Sequence, residues 1–204
     1  IREVKLIPQS LKQNIVVPPS TLGTDLQRTR GDDTLPQGSV TFVVGPEQQR
    51  IEHVSKNILC VRSAYFSAMF RNGMEEASSK EVKVPDATPA GFTALIDYLL
   101  ADTFDVDGGT RHAVELLELA CKYGVKRLEL LVLKSMQSSI GPSTAVPLLE
   151  MAGAMGVDGL FAECREFIAN NPGAVRKNGG VEQLTSFGVA KGLLSDAMEL
   201  LDRL

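Results

Sequence analysis

The residues that could do covalent chemistry in this chain lack the partners that such chemistry needs. Only two histidines are present, His53 in a strand-like run and His112 at a helix start. Neither has a partner at metal-ligand or i+4 spacing, so a surface or half-buried imidazole is the plain reading of each. A serine nucleophile would need one of these histidines and a sharp elbow, and the sequence holds no G-x-S-x-G. The Gly-Gly pairs at 108–109 and 179–180 belong to neither G-x-G-x-x-G nor a lysine-bearing phosphate loop, and read as loops. Three cysteines, Cys60, Cys121 and Cys164, occur without C-x-x-C spacing. Each sits in an apolar helical context, which predicts small, reduced, buried hydrophobes in a reducing compartment such as cytosol or nucleus. No catalytic residue, metal site or cofactor is expected, and the chain is not expected to be an enzyme.

What remains is the chemistry of binding. Met74, Glu75 and Glu76 place a flexible apolar side chain beside two carboxylates just past a helix end. An exposed methionine there has little reason to exist for folding alone. It suits an apolar anchor, with Glu76 as the charge that fixes register against a partner. The alternative is a solvated acidic rim made by Glu75, Glu76, Glu81 and Asp86.

The helix that must position these residues runs through Phe66, Met69 and Phe70, at i, i+3 and i+4. Asn72-Gly73 suits its left-handed end. Ahead of it, Val40–Val44 reads as an apolar strand, Gly45-Pro46 as a turn, and 50–54 as the returning strand of a hairpin. Glu81–Val84 alternates as a half-buried strand, closed by Pro85. A helix follows from Pro89 to Leu100, capped by Asp86 or Thr88. Residues 102–110 read as a loop. Val114, Leu117 and Cys121 share a face of the next helix, widened by Leu116, Leu119 and Tyr123 and stopped at Gly124. Val125, Leu128, Leu131, Val132, Ser135 and Met136 trace another. Gly141-Pro142 marks a boundary, followed by helices on Leu148 to Met155, Leu160 to Ile168 and Leu193 to Leu204. Breaks are expected at 170–173 and 178–180.

Near the start, 4–7 and 14–17 are strand-like, and Pro18-Pro19 ends the second run. Leu22 and Leu26 then share one side of a short helix through Gln27, capped by Ser20 or Thr21. So close to the N-terminus it has little chain to pack on, which favours a seam against a second copy.

Bulk properties exclude several function classes. The 204 residues carry a net charge of −4 and no Trp, which supports neither a nucleic-acid field nor a base-stacking platform. No apolar run of 18 residues offers a membrane span, and no secretory leader is legible.

In order along the chain, these segments resemble the BTB/POZ family, most closely the MATH-BTB adaptors of the speckle-type POZ group. Val40–Val44 matches the first core strand, and Ile58 to Phe70 matches the signature "VLAARSPVFSAMF". Phe92 and Leu95 match the start of "FxxLIxYLY", and Ala120 to Tyr123 with Arg127-Leu128 matches "AdKYxlerL". Residues 16–22 look like the linker leaving a MATH domain, and residues 143 to about 175 like a BACK extension.

The resemblance implies an α+β BTB/POZ fold over 20–140, a small sheet flanked by helices. An all-α BACK-like region over 141–204 follows it, and 1–19 would be the trailing edge of an upstream, substrate-binding domain. It implies a cullin-3 RING ubiquitin ligase adaptor: a homodimer through Leu22, Leu26 and Ile58, gripping cullin-3 through Met74, Glu75, Glu76 and Leu100. A protein substrate would be held by the upstream domain. The alternative is an oligomerising scaffold of the transcription-regulator type. The sequence departs from the family pattern at Ser39, usually Asp, at Ser55, usually His, and at Leu100-Ala101-Asp102, usually Tyr-Thr-Gly.

Overall fold

The computed structural model describes residues 15–30, 32–71, 80–105, 109–179, 184, 185 and 192. It divides into two compact units, Val16–Val132 and, among the described residues, Ile15 with those from Leu133 onward. The boundary falls inside one helix, Lys126–Ser138.

The larger unit is built on a three-stranded sheet of β1 (Ser39–Val44), β2 (Gln49–Ser55) and β3 (Glu81–Val84), in the order β2-β1-β3. β1 pairs antiparallel with β2 and parallel with β3. Its central place explains its nearly unbroken apolar sequence. Phe42 opposes Ile51 and Val40 opposes Val54, so β2 carries one extra residue between those pairs. His53 has φ +60° within this bulge. The bulge explains a spacing that a regular strand cannot use. Ile51 and Val54 are three apart, yet both turn to the face of Phe42 and Val40. β3 alternates exposed and buried side chains, as its sequence predicts.

The helices of this unit are α1 (Leu22–Arg28), α2 (Lys56–Arg62), α3 (Ala64–Arg71), α4 (Pro89–Ala101), α5 (Gly109–Lys122) and the start of α6 (Lys126–Ser138). Ser63 breaks α2 from α3. It is buried, and its hydroxyl donates to the Tyr123 carbonyl at 2.7 Å and accepts the Phe66 N–H at 3.3 Å. Thr88, not Asp86, caps α4, its hydroxyl accepting the Gly91 N–H at 3.1 Å. The core is aromatic. Phe42 lies 5.7 Å from Phe66 and 5.0 Å from Phe92 between ring centres, and Tyr123 stacks on Phe66 at 5.0 Å. Burial raises the Tyr123 hydroxyl pKa well above that of a free phenol.

The second unit takes in the end of α6 with α7 (Ala145–Met155), α8 (Asp158–Asn170) and α9 (Pro172–Lys177). Leu148, Leu149, Ala152 and Cys164 are fully buried in it. α5 and α7 end alike. Gly124 (φ +67°) and Gly156 (φ +68°) take the left-handed conformation, and the next N–H bonds back at 2.8 Å to Ala120 and Ala152 respectively. This closure uses carbonyls that a helix end leaves free.

Five sequence expectations need correction. The stretch 102–110, read as a loop, already holds the first residues of α5, Gly109 and Thr110. The helix at 22 runs to Arg28, one residue beyond Gln27. Residues 15–17 form no strand, and Val16 is exposed. The break at 170–173 holds the start of α9, because Pro172 is preset for a first helical turn. Cys121 lies on the exposed side of α5, whereas Cys60 and Cys164 are buried. The buried stripe of α5 is Ala113, Leu116, Leu117 and Ala120. The other strand-like run at 4–7, the Asn72-Gly73 helix end and the last expected helix, 193–204, lie outside the described residues.

The cysteines therefore divide. Cys121 should label with a thiol reagent in the native protein while Cys60 and Cys164 stay protected until unfolding, read by mass spectrometry. Native labelling of all three would contradict the packing. Burial, with Glu163 nearby, pushes the Cys164 thiol from 9.0 up to about 12. A thiol raised on folding stabilises fully below pH 9.0, and that contribution is lost as pH climbs toward about 12.

Candidate functional site

A helix as short as α1 does not persist unless something holds it, and none of its side chains is fully buried. Its apolar pair is outward-leaning: Leu22 is half-buried and Leu26 is 37% exposed. α1 packs on α2, where Ile58 is half-buried. The three residues expected at a dimer seam thus lie on two adjacent elements. The chain does offer α1 something to rest on, and the contact is ionic.

Arg62, at the end of α2, is its centre. Its guanidinium reaches Asp25 of α1 at 3.0 Å and pairs on its other arm with Asp102, just past α4. It also donates to the Leu99 carbonyl at 3.2 Å and lies 5.6 Å from the centre of the Tyr98 ring. Asp102 is shared with Arg127 of α6 at 3.3 Å, and Arg127 also donates to the Tyr98 hydroxyl at 3.0 Å and the Pro18 carbonyl at 2.9 Å. The Ser20 hydroxyl donates to Asp102, and Thr21 donates to Asp25 at 2.7 Å. A planar fork that meets two carboxylates at once is work for arginine rather than lysine.

Sequence reading named Arg62 and Arg127 only as parts of motifs and missed their joint role. No local signal links residues that lie 37, 40 and 109 positions apart. Leu100 is half-buried in the last turn of α4, two residues before Asp102. Met74, Glu75 and Glu76 lie outside the described residues. Ser39 and Ser55 turn out to be cross-strand partners on β1 and β2. The first two of the departures noted in the sequence thus stand opposite each other. Among the described residues, no group of three or more His, Cys, Asp or Glu could hold a metal ion, and no helix is long and apolar enough to cross a membrane.

The family model of the BTB/POZ domain matches residues 37–140. The chain belongs to the BTB/POZ family. Human BTB/POZ domain-containing protein 6 is 32% identical over 145 residues, covering 70% of this chain and 26% of the relative. BTB/POZ and MATH domain-containing protein 6 of Arabidopsis thaliana is 29% identical over 187 residues, covering 84% and 44%. The chain thus spans about a quarter to under half the length of these curated relatives. The solved BTB domain of human Gigaxonin is 14% identical, with a TM-score of 0.41, covering 65% of this chain and 98% of that one. BTB domains mediate oligomerisation and protein–protein interaction, and BTB proteins are typically non-enzymatic scaffolds or adaptors.

Proposed function

We propose that this chain is the dimerising, cullin-binding part of a substrate adaptor for a cullin-3 RING ubiquitin ligase, akin to the speckle-type MATH-BTB proteins. Residues 1–19 would be the trailing edge of a substrate-binding domain, 20–140 the BTB/POZ domain and 141–204 a BACK-like extension. It would act in the nucleus or cytosol. The observation that carries this reading is Met74-x-Glu76 within a BTB/POZ chain. It supplies a thioether able to fill an irregular apolar pocket and a carboxylate able to meet the N-terminus of a partner helix. Helices α7 and α8, directly after the matched domain, add support. So does a relative whose name joins BTB/POZ to MATH.

The test has two parts. In light scattering the unmodified chain should be a dimer, burying on the order of 1,600 Å² or more, and Leu26→Asp or Ile58→Asp should yield monomers or aggregates. In calorimetry the chain should bind the cullin-3 N-terminal domain, more weakly than with the family's tyrosine in place of Leu100. Met74→Ala and Glu76→Lys should each lose roughly 1–3 kcal/mol. Equal affinity for all three chains would move the site elsewhere. A dimer without cullin binding would assign the chain to the oligomerising scaffolds.

A further inference from the structure

We infer that Asp102 is a latch that fastens the segment from Pro18 to Arg28 to the BTB/POZ domain within a single chain, so that α1 is ordered before a second copy arrives. Burial of apolar surface alone does not hold this helix, because none of its residues is fully buried. Polar contacts do, and Asp102 is their common member. Its carboxylate accepts from Ser20 in the incoming segment and pairs with Arg62 of α2 and Arg127 of α6. Those two arginines reach the same segment, Arg62 through Asp25 and Arg127 through the Pro18 carbonyl.

The backbone supplies an independent observation. Asp102 has φ +53° at the end of α4, with its N–H on the Tyr98 carbonyl at 2.9 Å. Glycine adopts that conformation freely and other L residues adopt it at a cost. A strained backbone persists where something else is gained. What an aspartate adds over glycine here is its carboxylate, which is the group that binds both arginines.

One consequence rests on the dimer reading: a seam helix already ordered in the monomer spares dimerisation the entropy of ordering it. The latch itself does not depend on that reading.

Hydrogen exchange by mass spectrometry on the full 204-residue chain tests it. Asp102→Gly and Asp102→Asn should speed exchange at the amides of 22–28 by about 10- to 100-fold, the ratio implied by losing hydrogen bonds to a charged group. Amides of β1 and α4 should stay protected, since loss of the cluster lowers stability without unfolding the domain. Leu26→Asp, which spoils the seam and spares the latch, should keep residues 22–28 slow. Unchanged exchange there in both Asp102 variants would overturn the proposal. So would loss of protection throughout the domain in both, or Leu26→Asp freeing the segment as completely as Asp102→Gly. If the unmodified chain proves monomeric, the dimer reading fails alone, because slow exchange at 22–28 is then read directly in the monomer.

Discussion

Phe66→Ala should cost about 3–5 kcal/mol of stability, the range for deleting a buried aromatic ring. Phe66 is wholly buried, and its ring meets those of Phe42, Phe70 and Tyr123 at centre distances of 5.7, 6.0 and 5.0 Å. One side chain thus joins β1, α3 and the end of α5. Neighbours on three elements cannot all collapse into the space left, so the cavity cost adds to the lost burial. Urea unfolding of the variant should show a lower midpoint at an unchanged slope. Tyr65→Ala, one residue along, should cost far less, because Tyr65 is 39% exposed. Equal losses at 65 and 66 would refute this account of the core.

Arg62→Ala should cost about 3 kcal/mol, because removing one member of a buried ion cluster leaves the others uncompensated. The Arg62 side chain is 5% exposed and those of Asp25 and Asp102 are 15% and 12% exposed. Asp102 would keep Arg127, whereas Asp25 would keep the neutral Thr21 hydroxyl and, as its cation, Arg28, a distant and mostly exposed partner at 3.8 Å. Arg62→Lys should recover part of the loss, since a point charge serves one carboxylate but not both. Chemical denaturation of the two variants beside the unmodified chain measures this. A lysine variant as stable as the original would show that the fork is not what matters.

How far the sequence reached depended on how local the determining forces were. Alternation gave Glu81–Val84, and an apolar run closed by Gly45-Pro46 gave the hairpin, because strand burial has a period of two and turns need particular residues. The i, i+3, i+4 spacing of Phe66, Met69 and Phe70 gave α3. The bulge at His53 was not legible, although the odd spacing of Ile51 and Val54 was its trace. Cys121 went to the wrong face because α5 carries more than one apolar stripe. Which stripe is buried depends on what packs against it. Nor could the short run Glu81–Val84 announce that it would lie parallel to β1.

The sequence by itself determined the α+β class, the order of the elements and the BTB/POZ resemblance. Each follows from patterns within a few neighbouring residues. Only the tertiary structure decided that Ser39 faces Ser55, that Cys121 looks outward, and that Asp25, Arg62, Asp102 and Arg127 form one cluster. A long-range ion pair has no period and no required spacing. It exists only once chain closure has brought distant residues together, so a pattern along the sequence carries no sign of it.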